Sequence, residues 1–180
     1  MQIDNKYFVP FILIVAIISA FLIAFFTLHI RQKRHKHFIE QISAQDSIKY
    51  VMMPVFGDAD SLSVQSFKKK YVVVDFWATW TASFSEKAHK QLAGLRTKYP
   101  QKLEVIAAIV KDKPEKVQDY IDRYNYPFHY VEGTAVFENF DLPGIPTQLV
   151  YSPKGQLLSI FTGRADAARL DSLNNILKNG

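Results

Sequence analysis

The side chains that could do chemistry lie close together, at residues 75–89, just after a run of valines. Asp75 follows the valines, Thr81 stands where the pattern turns helical, and His89 comes eight residues later. A threonine becomes a nucleophile only when a base lies within hydrogen-bond reach. His89 would be roughly 12 Å from Thr81 along a helix, and His129, the only other histidine after residue 46, lies on a predicted edge strand. We therefore expect no hydrolytic site and interpret Thr81 as a helix cap.

Cysteine is absent from all 180 residues of the chain. Its absence excludes disulfide bonds, thiolate metal sites and thiol catalysis. His35 and His37 stand two apart, but they lie in a basic segment that we interpret as a membrane flank. We therefore predict neither a metal ion nor a cofactor.

The positive charge is unevenly distributed. The formal net charge is +5, although residues 47–180 contain 17 Lys and Arg against 14 Asp and Glu. Much of the excess lies in one short cluster: Arg31, Lys33, Arg34 and Lys36. A C-terminal part that is nearly balanced gives no electrostatic basis for binding nucleic acid, and we predict none. The lysine run at 68–70 is interpreted as a solvated turn.

Residues 8–30, FVPFILIVAIISAFLIAFFTLHI, form an apolar block without a charged residue. A helix of this length crosses a hydrocarbon core of about 30 Å, and the block is too long for the apolar part of a signal peptide. We therefore expect the chain to contact the lipid bilayer as a single-pass anchor. The predicted domains are a tail at 1–7, a transmembrane helix at 8–30, a basic juxtamembrane stalk at 31–46 and a folded domain at 47–180.

The domain at 47–180 has the pattern of an α/β fold. Val72, Val73 and Val74 predict a strand covered on both faces, and residues 103–110 predict a second one. Between them, apolar residues recur at helical spacing from Phe84 to Tyr99. Asp112, followed by Pro114, is interpreted as the cap of the next helix. Strand–helix–strand units imply parallel strands, and a C-terminal hairpin adds antiparallel ones, so we predict a mixed central sheet flanked by helices.

Two motifs in this domain resemble the thioredoxin-like superfamily. Residues 75–84 read DFWATWTASF, against a family pattern of D-F-W-A-x-W-C-x-x-C, and residues 144–147 read GIPT. Thr81 and Phe84 stand at the two cysteine positions. The order of elements most resembles the bacterial membrane-anchored thiol-disulfide reductases of the TlpA type. The resemblance covers about residues 47–180 and implies a thioredoxin-like fold.

The resemblance also implies roles for single residues. Asp75 matches the buried acid that assists proton transfer in active relatives, and Pro146 matches a cis proline beside which an extended substrate pairs. We therefore predict a groove lined by Trp77, Trp80, Thr81, Ile145, Pro146 and Thr147. Without thiols to serve, Asp75 is interpreted as a structural hydrogen-bond acceptor, or else as more solvated than in active relatives. Phe84 is interpreted as core packing, with a gate over the old pocket as the alternative.

Neither Thr81 nor Phe84 can form the mixed disulfide of thiol exchange. We therefore expect a redox-inactive module that binds a protein or peptide through the groove. A divergent activity within the oxidoreductase family and a structural or assembly subunit are the alternatives.

The side of the membrane is predicted differently by two arguments. The basic cluster after the apolar block favours a cytoplasmic domain by the positive-inside rule. The resemblance implies the bacterial inner membrane with the domain on the outer, periplasmic side. Because the resemblance spans the whole domain, we expect the periplasmic side.

Overall fold

The structure is a computed structural model that describes residues 5–44 and 47–179. The chain divides into two compact units, Met1–His37 and Phe38–Gly180. The side chains of residues 82–84 lie outside the described part of the chain. The two interpretations of Phe84 therefore stay predictions.

The first unit contains most of the long helix α1, Asn5–Ala44. Within α1, Pro10–Thr27 is long and apolar enough to cross a membrane, judged by length and composition. The hydroxyl of Thr27, at the end of this stretch, is satisfied inside the helix, because Thr27 Oγ1 donates to the Ile23 carbonyl at 2.6 Å. An uncharged stretch of this kind supports a single-pass membrane protein.

The second unit is built on a five-stranded sheet in the order β5-β4-β3-β6-β7. Strands β3 (Tyr71–Trp77), β4 (Leu103–Ile109) and β5 (His129–Glu132) are mutually parallel. Strands β6 (Thr147–Tyr151) and β7 (Leu157–Thr162) add antiparallel pairings on the other side of β3. The predicted mixed sheet is confirmed.

Four further helices accompany this sheet: α2 (Ala82–Lys98), α3 (Pro114–Tyr124), α4 (Thr134–Asn139) and α5 (Ala167–Asn179). Alternate residues of β3 enter different clusters of the core, as the twofold repeat of a strand requires. Val72, Val74 and Phe76 pack with Val136 of α4. Val73 packs with Leu92 of α2 and Leu173 of α5, and Trp77 packs with Val117 of α3. The central strand is therefore buried along its whole length.

The start of the domain differs from the prediction. The apolar residues at 49–56 favour a strand, but this part of the chain has a short 3-10 helix, Ile48–Tyr50, followed by the two-residue strand β1 (Met53–Pro54). Strand β1 pairs with β2 (Ser61–Leu62) in a small separate sheet. Phe38 and Ile42, which the sequence assigns to the stalk, are fully buried in the core of the second unit. The second compact unit begins at Phe38, and Phe38 and Ile42, four residues apart, lie on one face of the helix.

Candidate functional site

The turn after β3 is held by the loop after β4. The backbone N–H and the hydroxyl of Thr79 both donate to the Asp112 carboxylate, the hydroxyl at 2.9 Å. The indole N–H of Trp80 donates to the Lys111 carbonyl at 3.3 Å. Asp112 was predicted to cap α3, and this prediction is wrong, because Lys113 is the N-cap and makes no side-chain capping bond. Asp112 instead fixes the turn that presents Trp80.

Thr81, at the first cysteine position, is closed to chemistry. Its side chain is buried, and its hydroxyl donates to the Ala78 carbonyl at 2.7 Å. The same oxygen lies 2.9 Å from the hydroxyl of Ser85, so Ser85 is the donor in that pair, because Thr81 has only one proton to give. Thr81 does occupy the N-cap position of α2, but its side chain makes no capping bond. The hydroxyl is thus used internally and is not an activated nucleophile.

Asp75, His89 and Tyr120 form a buried polar triad. His89 Nε2 lies 2.9 Å from Asp75 Oδ2, and His89 Nδ1 lies 2.8 Å from the Tyr120 hydroxyl. Both members of the acid–imidazole pair are almost fully buried, with 1% and 0% of their side chains exposed. Within the described part of the chain, neither Asp75 oxygen accepts an aligned hydrogen bond. The short contact between Asp75 and His89 is therefore an electrostatic one.

The high pKa of Tyr120 indicates which atom donates the hydrogen bond between Tyr120 and His89. Burial raises the pKa of Tyr120 well above its ordinary value, and the neighbouring tyrosines and Glu86 raise it further. Tyr120 therefore keeps its proton and can donate it to His89 Nδ1. A neutral imidazole that accepts this bond carries its own proton on Nε2, the nitrogen that faces Asp75. His89 Nδ1 is hydrogen-bonded to Tyr120 and Nε2 lies against Asp75 in the buried interior, so His89 is not placed as a base for Thr81.

Arg169 closes the polar region from the C-terminal helix. Its Nη2 donates to the carbonyls of Thr162 and Gly163, at 3.0 and 3.1 Å, where β7 ends. Burial lowers the pKa of Arg169, and the carboxylates of Asp75 and Asp166 partly offset this effect. On the neighbouring strand, Gln148 is the register partner of Asp75 and is also buried. These side chains order the interior, and none offers a reactive group to solvent.

The motif at 144–147 lies at the same end of the sheet as the Thr79–Thr81 turn, because Thr147 is the register partner of Phe76. The Ile145–Pro146 peptide bond is cis. Pro146 and Thr147 are buried, and the Thr147 hydroxyl donates to the Gly144 carbonyl at 2.6 Å. Ile145 is half-buried.

The groove predicted from the sequence is only partly accessible. Trp80 is 63% exposed, whereas Trp77 is 0% exposed. The Trp77 ring packs against Tyr120 and His89, with centroids 4.6 and 4.7 Å away. The placement of Trp77 on the rim is therefore corrected, because this side chain belongs to the core. Trp80 and Ile145 are the members of the predicted set that solvent reaches.

Sequence reasoning missed the part played by α2. Thr81, Ser85 and His89 recur every four residues and so share one helix face. This polar row was a usable signal, since it runs beside the apolar positions of the same helix, and its last member, His89, contacts Asp75. No sequence signal indicated that Asp112 binds Thr79. An acid shortly before Pro114 is already accounted for by the pattern of a helix cap.

A family described as thioredoxin-like matches residues 69–157 of the chain. These residues include β3, α2, β4 and β6, and therefore both motifs. The chain contains a thioredoxin-like domain that is homologous to the thiol-disulfide oxidoreductases of the ResA and TlpA type. The absence of cysteine is consistent with redox inactivity.

Particular relatives support this assignment. The chain is 26% identical to the thiol-disulfide oxidoreductase ResA of Bacillus subtilis over 148 residues, which cover 78% of this chain and 79% of the relative. A secreted disulfide oxidoreductase of Mycobacterium tuberculosis superposes with a TM-score of 0.62 at 15% identity, covering 76% of this chain and all of that one. StoA of Bacillus subtilis superposes with a TM-score of 0.55 at 17% identity, covering 69% of this chain and 95% of that one.

Proposed function

We propose that this chain is a membrane-anchored, redox-inactive thioredoxin-like protein that binds an extended peptide segment of a partner. The binding surface is the end of the sheet that carries Trp80 and Ile145. The observation that carries the proposal is the state of Trp80, which is largely exposed yet held by a hydrogen bond from its indole. An aromatic side chain that is ordered before binding contributes contact area at a low entropic cost.

The backbone beside Pro146 supports the same surface. The N–H and C=O of Ile145 make no hydrogen bond within the described part of the chain. The carbonyl of Pro146, in contrast, accepts from the Gly163 N–H at 2.9 Å. A peptide in extended conformation pairs with free backbone groups of this kind, and side-chain pockets then add specificity. Ile145 would supply the pairing groups and Trp80 the apolar contact.

A divergent enzymatic activity is less well supported. Thr81 donates its only proton to a backbone carbonyl, and the two nitrogens of His89 face Tyr120 and Asp75 in the interior. A nucleophile requires a base that can reach it. The described side chains around Thr81 provide no such base, which favours a binding role.

The membrane setting is part of the proposal. We infer that α1 spans the bacterial inner membrane once and that the domain lies on the periplasmic side. The length and apolar composition of Pro10–Thr27 support the span. The resemblance to TlpA-type reductases supports the outer side, and it is weighed against the basic cluster after the span, which favours the cytoplasm.

Binding at this surface is tested first by site-specific photo-crosslinking in cells. A photoreactive residue at position 145 is compared with one at Leu158, which is 44% exposed and lies on β7. We expect position 145 to capture one discrete partner and position 158 not to capture it. Mass spectrometry of the adduct then defines the partner peptide, which is synthesised for titration.

The titration uses the full chain in neutral detergent and compares Trp80→Ala with Tyr50→Ala. Tyr50 is 65% exposed, so both changes remove an exposed aromatic ring. Loss of a central aromatic contact costs about 2 kcal/mol, and we expect about 30-fold weaker binding for Trp80→Ala. Tyr50→Ala should stay within twofold of the unmodified protein. Equal affinities for the two variants, or equal crosslinking at both positions, would contradict the proposal.

A further inference from the structure

A second surface lies at the opposite end of β3 from Trp80. Residues 67–70, which precede β3, meet residues 152–155, the turn between β6 and β7. The Lys69 N–H donates to the Pro153 carbonyl at 3.3 Å and joins the two segments. A surface cavity of about 280 Å³ lies between them. We call it the lysine cavity, and its charged lining residues are Lys68, Lys69, Lys70 and Lys154.

The charge of the lysine cavity is uncompensated. None of the described residues that line it is acidic. Lys70 is paired with Glu104 at 2.5 Å, but Lys68, Lys69 and Lys154 are exposed and form no ion pair within the described part of the chain. Three like charges around one concavity give a positive potential that attracts anions. The sequence suggests that residues 68–70 are a solvated turn. That interpretation does not explain why Lys154, which lies 84 residues beyond Lys70, lines the same cavity.

The backbone of this region is set in a specific conformation. Lys69 has a positive φ of 69°, which costs a residue with a side chain roughly 1 kcal/mol. The hydrogen bond from the Lys69 N–H to the Pro153 carbonyl holds this conformation and keeps the two loops together. On the other loop, the Ser152 hydroxyl accepts from the N–H groups of Lys154 and Gln156. The lysines therefore project from two turns whose shape is fixed.

The floor of the cavity is apolar. Val64, Phe67 and Val72 line it together with Pro153. A cationic rim above an apolar floor suits a ligand that has an anionic head and an uncharged body. The volume is that of a small site and would accept a single head group. Extended nucleic acid is a poor match, because the cavity is small and the domain around it is nearly balanced in charge.

We propose that the lysine cavity is a binding site for a phosphate group, with Lys68, Lys69 and Lys154 as its ligands. The phosphate belongs either to an anionic lipid head group or to a soluble phosphate compound. Lysines bind phosphate as mobile point charges, and each lysine near an anionic head group contributes about fivefold in affinity. The site is independent of the proposed peptide surface at Trp80.

The test is a calorimetric titration of the full chain in neutral detergent. The probes are dihexanoyl phosphatidic acid, inorganic pyrophosphate, dihexanoyl phosphatidylcholine and hexaglutamate. We expect phosphatidic acid to bind, and its affinity to fall as salt is raised. Binding of pyrophosphate as well would assign the site to soluble phosphates, and binding of phosphatidic acid alone would assign it to lipid head groups. Failure of both, or equal binding of phosphatidylcholine or hexaglutamate, would overturn the proposal.

A charge-matched pair of variants locates the site. Lys69→Asn combined with Lys154→Gln removes two of the ligands, and asparagine tolerates the positive φ at position 69. Lys116→Gln combined with Lys178→Gln removes two exposed lysines elsewhere. We expect about 30-fold weaker binding for the first pair and less than a twofold change for the second. Equal losses in the two variants, or no loss in the first, would reject the site.

A readout on the unmodified sequence guards against misfolding of the variants. Lysine amines are dimethylated with ¹³C, which retains their charge, and their resonances are followed by NMR as phosphatidic acid is added. We expect shifts for Lys68, Lys69 and Lys154 and none for Lys116 and Lys178. Uniform shifts, or shifts confined to other lysines, would contradict binding in the cavity.

Discussion

At the scale of single residues, the main finding is that Asp75, Trp77 and Thr81 of the DFWATWTASF motif are buried and contact the interior of the domain. Asp75, which the resemblance matches to a buried acid, contacts His89 at 2.9 Å. A buried acid without a partner is unfavourable, and the imidazole supplies that partner. The burial of Asp75 argues against the solvated interpretation, while its role as a hydrogen-bond acceptor stays a prediction, because neither of its oxygens accepts an aligned bond among the described residues.

This interpretation predicts how substitutions at the pair combine. His89→Leu removes the partner of a buried acid and should lower the free energy of unfolding by about 3–5 kcal/mol. Adding Asp75→Val removes the acid as well and should restore at least about 1 kcal/mol, because apolar replacements of a buried pair are often well tolerated. Urea unfolding of the full chain, followed by the fluorescence of the buried Trp77, measures both values. A double variant that is less stable than the single one would contradict a structural pairing.

At the scale of elements, Glu104 on β4 connects four segments of the domain. Its carboxylate accepts from Lys70 before β3, from Arg96 on α2 and from His129 on β5. Burial by itself would raise the pKa of Glu104, but the bonds from Lys70 and His129 and the charge of Arg96 outweigh it and lower the pKa below 4.5. The network therefore stabilises the ionised acid in the folded state.

The pH dependence of stability follows from this shift. A carboxyl whose pKa is lower in the folded state stabilises the fold above its unfolded pKa, and this contribution is lost as pH falls through the folded value. Glu104→Gln should therefore cost about 1–3 kcal/mol at pH 7, and the difference from the unmodified protein should shrink below pH 4.5. Unfolding measured from pH 7 to pH 3 tests this expectation. Glu138→Gln, which affects an exposed pair with Lys111, is the control and should cost less than about 1 kcal/mol.

At the scale of the whole molecule, the chain combines a candidate membrane span with a domain of balanced charge. The side of the membrane on which the domain lies is a question for experiments in cells. The answer decides which class of partner reaches Trp80 and which lipids reach the lysine cavity.

Protease accessibility in spheroplasts tests the proposed orientation. We expect added protease to degrade the domain in intact spheroplasts while a cytoplasmic marker protein survives. Replacing Arg31, Lys33, Arg34 and Lys36 by glutamine should leave this result unchanged. If the domain is periplasmic, the basic cluster does not determine the orientation, although the positive-inside rule would place the cluster in the cytoplasm. Protection of the domain until the spheroplasts are lysed would show that it is cytoplasmic.

Much of this architecture could be predicted from the sequence, for a physical reason. The run of valines before Asp75, the helical spacing from Ala88 to Leu95 and the GIPT motif are local patterns, and burial of apolar surface translates such patterns directly into strands and helices. The absence of cysteine needed no structure at all. These features determined the fold class and excluded thiol chemistry.

Tertiary structure alone decided which side chains meet. His89 lies 14 residues from Asp75 and contacts it only because α2 packs over β3, and Asp112 reaches Thr79 only because β3 and β4 are neighbours. The same holds for Trp77, which packs against Tyr120 of α3, and for Lys154, whose turn is joined to the run at 68–70 by the hydrogen bond from the Lys69 N–H to the Pro153 carbonyl. Contacts between segments that are distant in sequence depend on how elements pack against each other, and no local pattern encodes that.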